Sequence, residues 1–359
     1  MQAVFQGLKV IDLSSVLAGP SVGMFFAELG AHVIKIENPK QGGDVTRSWK
    51  TNSEKEGSIS AYWSSINYKK EIKFLNLTDG NDRSELEQLI SSADILLTNF
   101  KSGDAMKFQL EPLHLFQKYP SLIQASIYGF SSNEDRVAYD VVVQAETGFM
   151  FMNGEDTSAP TKMPVALMDV LAAHQLKEAI LIALYNRLKT GKGKIISCSL
   201  ERAGISSLVN QASNYLMSGV IAKRAGSLHP NIAPYGEIIS SADKKQIVLA
   251  VGSDRQFSSL CNTLSIPELA SDVRFMSNQL RVVNRYLLLE KLQEKSTLIN
   301  ADQLMAAFIE NDVPAGLIKN MAEVLESKIA QEMIREEIIE GQHTSRITSI
   351  AFEDLTPLS

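Results

Sequence analysis

Apolar residues along the chain fall into short runs that alternate with helix-period segments. Leu8-Lys9-Val10-Ile11-Asp12-Leu13 predicts a strand, and a small-residue turn, Ala18-Gly19-Pro20, follows it. Val22, Phe25, Phe26 and Leu29 then recur at helical spacing, which predicts a helix over 21–29. Gly30 stops it, and His32-Val33-Ile34-Lys35-Ile36-Glu37 predicts a second strand. Strand, turn, helix and strand in this order make a βαβ unit with parallel strands. The alternation continues with helices over 86–93 and 113–119 and strands over 94–97 and 122–127. Repetition of this kind predicts an α/β layer fold around a mostly parallel sheet.

The longest helical pattern runs from Asp169 to Leu188, with Leu176, Ile180, Ala183, Leu184 and Leu188 on the expected buried face. Gly191-Lys192-Gly193 closes it, Lys194 to Cys198 predicts a strand, and a further helix is expected over about 200–218. Around 224–235 the periodicity fades. Beyond it, strands at Glu237–Ser240 and Gln246–Val251 flank a hairpin turn, helices follow, and Val313 to Ile318 is a last strand-like piece. The expected organisation is a large domain over 1–200, a linker helix over 201–225 and a small α+β domain over 226–329, with 330–359 returning to the large domain.

Composition narrows the class. The 359 residues are 45% hydrophobic and 21% charged, enough for two packed domains. With 35 Lys and Arg against 41 Asp and Glu, the formal charge is −6, which argues against a general nucleic-acid partner. Cys198 and Cys261 are too few and too scattered for a disulfide framework or a zinc site, so no metal is expected. The clean apolar run from Ile180 to Tyr185 is too short to span a bilayer, and the first ten residues lack the pattern of a signal peptide. The expectation is a cytoplasmic protein with no membrane partner.

Candidate chemistry is sparse. Asp169 sits at the start of the longest helical pattern. It fits two roles: an N-cap that accepts a backbone N–H, or an ionised carboxylate that acts as a nucleophile. Position alone leaves both open. The turn Ser14 to Pro20, before the first helix, can bring a phosphate close to the backbone. It lacks the G-x-G-x-x-G spacing of a dinucleotide fold. Lys35, Arg47, Lys69, Lys70, Lys73 and Lys101 are cations that could neutralise phosphates, or simply be solvated. The five His are scattered, and no Walker loop, G-x-S-x-G elbow or H-E-x-x-H motif occurs.

Taken in order, these segments resemble the class III CoA-transferases, a family that also contains 2-methylacyl-CoA racemase. The resemblance is carried by Leu8 to Leu13, Val16-Leu17-Ala18-Gly19-Pro20, Leu29 to Glu37, Gly43-Asp44-Val45-Thr46-Arg47 and Ala93 to Phe100. It continues through Tyr139-Asp140 with Gln144-Ala145, Asp169, His229 to Tyr235, Ala250 to Phe257 and Val313-Pro314-Ala315-Gly316. It implies a Rossmann-like large domain, a smaller α+β domain and a homodimer of interlocked rings. CoA and acyl-CoA would be substrates, with a carboxylic acid as the other partner and no tightly bound cofactor. Asp169 would be the nucleophile, passing through a mixed anhydride and an aspartyl-CoA thioester. Val16, Ala18, Lys35, Arg47, Asn99, Phe100 and Arg136 would bind CoA, and Leu17, Tyr139 and Asp140 would face the acyl group.

The chain departs from that pattern in places. Leu17 stands where formyl-CoA transferases have Gln, and no run of glycines occurs near 224–236. Asn38 replaces a basic residue, and Tyr68 and Glu71 break the family's "NxNKRS" pattern around Lys69-Lys70. A racemase would carry a His where this chain has Tyr139 and a supporting Glu where it has Ser240. Racemase chemistry and CoA binding without turnover are the alternatives.

Overall fold

The computed structural model describes residues 3–131 and 135–353, which divide into two compact units. The first comprises 1–149, 162–221 and 328–359, and the second 150–161 and 222–327. Residues 1–2 and 354–359, part of the expected large domain, lie outside the described residues.

Six parallel strands form the centre of the first unit. They are β1 (Lys9–Asp12), β2 (His32–Glu37), β3 (Glu71–Phe74), β4 (Ile95–Thr98), β5 (Ile123–Tyr128) and β6 (Ile195–Ser199), in the order β3-β2-β1-β4-β5-β6. Val10 pairs with Val33 on one side and Ile95 on the other, so β1 is central. Side chains alternate across the sheet. Val10, Val33, Ile95, Leu97 and Ile123 pack beneath the helices Ala18–Glu28 and Leu167–Thr190, while Ile11, Ile34, Ile36 and Leu96 pack with Leu86 and Ile90 of the helix Gly80–Ser91. Helices therefore cover both faces, which is why these strands are nearly continuous apolar runs. The chain winds outward from β1 in one direction and then, from β4, in the other. The strand order thus reverses between β1 and β4, and connections leaving their carboxyl ends diverge to leave a crevice.

Several elements differ from the sequence expectation. The first helix begins at Ala18, three residues early, because Pro20 is tolerated in a first turn. The expected helix over 200–218 is two helices, Leu200–Ser206 and Val209–Ser218, with Val209 at φ +44° beyond the break. Strand β3 has only two half-buried residues in four and carries little apolar signal. On the long helix the buried stripe is Met168, Ala172, Ala173, Leu176, Ile180 and Ala183. Leu188, expected inside, is 86% exposed, as its neighbours Ile182 and Tyr185 are largely exposed. Near the C-terminus, β10 (Ile334–Ile339) and β11 (Gln342–Ile347) form an antiparallel hairpin in the first unit, which the sequence pattern did not reveal.

The second unit holds an antiparallel sheet of β7 (Tyr235–Ser240), β8 (Gln246–Ala250) and β9 (Ala315–Leu317). Ile239, Ile247 and Leu249 pack there against Phe257, Leu288 and Phe308 from its helices. Among the described residues no helix is long and apolar enough to cross a membrane.

Beneath the carboxyl ends of β1 and β2 lies a buried charge network. Lys70 Nζ donates to Asp12 Oδ2 at 2.8 Å and to the Pro20 carbonyl at 2.8 Å, with both side chains fully buried. Burial pushes the Lys70 ammonium down to about 8, against the pull of Asp12. Removing one partner of such a pair strands the other charge away from water. Lys70→Met is therefore expected to destabilise the protein by about 3 kcal/mol at neutral pH, read as a lower urea midpoint.

Candidate active site

The turn between β1 and the first helix is held in an uncommon shape. Val16, a β-branched residue, has φ +72°, which costs energy and persists only where neighbours enforce it. Lys35 Nζ donates to the Ser14 carbonyl at 2.6 Å, and Val16 N–H reaches Asp44 Oδ2 at 3.3 Å. Asn99, just past β4, clasps Ser15 from both sides: its Oδ1 accepts Ser15 N–H at 3.1 Å and its Nδ2 donates to the Ser15 carbonyl at 3.0 Å. The clasp ties the two strands' exits together across the reversal point. Gly19 is needed at this bend, since a Cβ there would lie 2.3 Å from the Ser14 side chain.

Two clefts open on either side of this clasp, sharing Ser15, Asn99 and Lys101. One, of about 490 Å³, runs over the ends of β2 and β3 and is lined by Asn38, Gly43, Asn76, Phe100, Lys101 and Lys107 among others. The other, of about 200 Å³, is lined by Val16, Leu17, Arg136, Tyr139, Asp140 and Asp169 among others. Leu17 is the N-cap of the first helix and provides no side-chain acceptor, and the first turn carries no acidic residue. The first N–H groups of that helix, at the positive end of its dipole, are thus uncapped beside the second cleft.

Asp169 stands in the first turn of the helix Leu167–Thr190, not at its N-cap, which is Ala166. The N-cap reading is thereby corrected: the carboxylate makes no capping bond. Among the described residues no side chain or backbone group hydrogen-bonds to it. Burial, with the charge of Asp140 added, pushes its carboxyl up to about 7. The capping acceptor comes instead from Asp140, the first residue of the helix Asp140–Glu146, whose Oδ1 accepts Met168 N–H at 2.7 Å. Asp140 Oδ2 accepts from Gln144 Nε2 at 2.5 Å, and Gln144 Oε1 accepts Met163 N–H at 2.8 Å.

The remaining expected residues are placed as follows. Ala18 is buried at the helix start, and Phe100 borders the larger cleft, packed on Phe108. Lys35 also borders that cleft, but its ammonium is buried against Asp44 at 3.1 Å. Arg47 is paired with Glu37 at 2.5 Å and stacked 3.9 Å over Trp63, leaving its edge at the rim near Gly43. Arg136 pairs with Glu146 at 2.9 Å and lies 3.9 Å over the Phe130 ring. Two residues that break the family pattern, Tyr68 and Glu71, are off both clefts: Tyr68 is buried under Arg346, and Glu71 pairs with His32. Tyr62 was not anticipated. It is half-buried and edge-on to Trp49, and burial together with the charges of Asp169, Asp140 and Asp44 pushes its hydroxyl up to about 12. Only its aromatic surroundings, Trp49 and Trp63, could have drawn attention to it.

A doubly wound sheet with two clefts at its reversal point, one of them holding an acid without a hydrogen-bond partner among the described residues, is the arrangement in which ligand sites of open α/β sheets ordinarily lie. The profile of CoA-transferase family III matches residues 5–353. Succinate--glutarate CoA-transferase of Agrobacterium fabrum is 36% identical over 325 residues, 89% of this chain and 80% of that protein. Succinyl-CoA:glutarate CoA-transferase of Homo sapiens is 33% identical over 322 residues, 89% and 72% of the two. A CAIB/BAIF family protein from Brucella suis has a crystal structure with TM-score 0.86 at 36% identity, covering 99% of this chain and 94% of that one. The chain belongs to CoA-transferase family III and is an enzyme of that class.

The ionisation of Asp169 has a stability consequence. Its folded pKa lies above the unfolded value of 3.8, so the folded state holds the extra proton between about pH 4 and 7. Stability contributed by the neutral acid is present below that window and lost as pH rises through it. Asp169→Asn is expected to match the native protein near pH 4 and to exceed it by about 2 kcal/mol at pH 8, after allowing for water at the cleft mouth. Urea melts at the two pH values check this; an equal difference at both would contradict it.

Proposed function

We propose that the enzyme moves CoA from an acyl-CoA donor to a carboxylic acid through covalent bonds to Asp169. The observation that carries this reading is the carboxylate itself. It opens on a cleft beside uncapped helix N–H groups, no hydrogen bond from the described residues occupies it, and its charge is disfavoured. Nucleotide and phosphates would occupy the larger cleft, near Asn38, Phe100, Lys101 and Lys107, and the thioester would pass the Asn99 clasp into the smaller one. There Leu17, Tyr139 and Arg136 surround the acyl group. In this reading Lys35 and Asn99 act through the turn they hold, since their polar atoms are already committed to Ser14, Ser15 and Asp44.

The chemistry balances without an outside energy source. An Asp169 oxygen attacks the thioester carbonyl, the C–S bond breaks, and a mixed anhydride and CoA thiolate result. The thiolate attacks the Asp169 carbonyl of that anhydride and releases the donor acid, leaving an aspartyl-CoA thioester. The acceptor carboxylate attacks that thioester, giving a second anhydride and thiolate. The thiolate then takes the acceptor's acyl group and frees Asp169. Proximity and backbone N–H donors to the tetrahedral oxyanions are what the protein must supply.

The substrate acids are dicarboxylic in this proposal, with succinyl-CoA and glutarate the first pair to assay. Support comes from the relatives, whose names pair succinate with glutarate and succinyl-CoA with mesaconate, while another pairs acetyl-CoA with the dicarboxylic acid oxalate. The expected homodimer is supported by an uncovered apolar surface in the first unit, where Ile182 is 69% and Met217 88% exposed. Single scattered apolar residues are ordinary; a run of them on two helices calls for a partner surface.

Asp169→Ala should still bind CoA but lose transfer by about a thousandfold or more. Native enzyme given the donor alone and then hydroxylamine should carry the adduct on Asp169, located by peptide mass analysis. Transfer retained in the variant would overturn the covalent reading.

A further inference from the structure

We propose that Asp140 and Gln144 are positioning residues that fix the first turn of the Asp169 helix, and that the standing charge of Asp140 favours acylation of Asp169. This rests on the reading of Asp169 as the nucleophile.

The helix Leu167–Thr190 begins without a cap of its own, since Ala166 has no side-chain acceptor. Asp140 supplies one from 28 residues upstream through its bond to Met168 N–H, one residue before the nucleophile. Gln144 lies one helical turn from Asp140 and is fully buried. Because a carboxylate only accepts, Gln144 must turn its Nε2 to Asp140, which leaves Oε1 for Met163 N–H. One short helix thus grips the chain at both Met163 and Met168. The intervening Pro164-Val165-Ala166-Leu167 has only local backbone bonds, such as Leu167 N–H to the Val165 carbonyl at 2.8 Å. The core packing of Met168 fixes the helix over the sheet, and the two grips are the side-chain bonds to the backbone that lead the chain into its first turn, where Asp169 stands.

Charge adds a second effect. Asp140 and Asp169 line the same cleft, and the repulsion between them acts on Asp169 only while it is ionised. Acylation, like protonation, removes that charge. The repulsion that adds to burial in holding the proton on Asp169 therefore favours the anhydride and the thioester over the free carboxylate. The other titratable groups facing Asp169 are Tyr62, neutral in the working range, and Lys101, Arg136, Tyr128 and Tyr139 on the cleft walls. Glu201 and Arg202 lie on the neighbouring helix Leu200–Ser206, and the Arg136 charge is offset by Glu146. Asp140 is the acid among them that lines the cleft with Asp169.

A charge swap separates the two effects. In Asp140→Asn, the new amide meets the Gln144 amide donor to donor, so the grip fails. In the double variant, Asp140→Asn with Gln144→Glu, the introduced amide still accepts Met168 N–H and donates to the introduced carboxylate, whose second oxygen accepts Met163 N–H. Every bond is satisfied, but the negative charge has moved a helical turn away, to a position that does not line the cleft.

Asp140→Asn is expected to lower both the melting temperature and kcat, the latter by about thirtyfold, with KM for the donor changed less than threefold, about 0.6 kcal/mol. The double variant should regain the melting temperature. Its acid limb of kcat/KM should lie about one pH unit below the native one, with the donor-only adduct on Asp169 reduced about tenfold. A native acid limb and native adduct yield in the double variant would overturn the role of charge. Native kcat in Asp140→Asn would overturn the role in positioning. If the native enzyme forms no adduct on Asp169, the nucleophile reading itself fails, a result that these variants cannot mimic.

Discussion

A carboxyl group withdrawn from water and given no hydrogen-bond partner among the described residues is the constraint on which this enzyme's architecture turns. Such a group is costly, and structures ordinarily avoid it by pairing it, wetting it or protonating it. Asp169 is left unpaired, and burial moves its ionisation up to about 7. Met168, one residue earlier, is pinned in the core at no exposure, so Asp169 is held at the cleft while its own oxygens stay uncommitted. Asp140 supplies the cap that Ala166, at the N-cap, cannot, and adds repulsion. Stability is given up at one point, and the surrounding packing offsets the loss. The long helix is anchored over the sheet by Ala172, Ala173, Leu176 and Ile180.

The same division between holding and reacting groups recurs at the reversal point of the sheet. Lys35, Asp44 and Asn99 commit their polar atoms to the Ser14 to Val16 turn, and so keep Val16 in a left-handed conformation that its branched side chain disfavours. What this leaves free is the start of the first helix, with donors uncapped and no acidic side chain in its own first turn. A cleft that holds uncapped donors on one wall and a disfavoured carboxylate on another is suited to a carbonyl group whose oxygen gains negative charge as its carbon is attacked.

Much of this was legible in the residues. The βαβ opening, the alternation through β6 and the hairpin of β7 and β8 follow from apolar spacing, because buried parallel strands and one-sided helices leave strong periodic marks. Strand β3 and the C-terminal hairpin left none: Glu71-Ile72-Lys73-Phe74 is polar at alternate positions and only half-buried, and Ile338 in β10 is exposed. Asp169 could be singled out by its place before a long helix, but not freed from the capping role, since the competing acceptor lies 28 residues away. Lys35 and Asn99 carried the right side chains for a ligand, and only coordinates show those side chains already in use. Tyr62 needed three distant carboxylates to be brought near it before it could be noticed.

The most direct test follows one oxygen atom. In the proposed route the acceptor acid contributes the bridging oxygen of the second anhydride, and that oxygen stays on Asp169 when CoA departs with the acyl group. With the acceptor labelled in its carboxylate by heavy oxygen, the peptide containing Asp169 should gain label during turnover, and the donor acid released in later turnovers should carry it. Label reaching the donor acid while Asp169 stays unlabelled would mean that the two acids exchange CoA without the protein ever bonding to either.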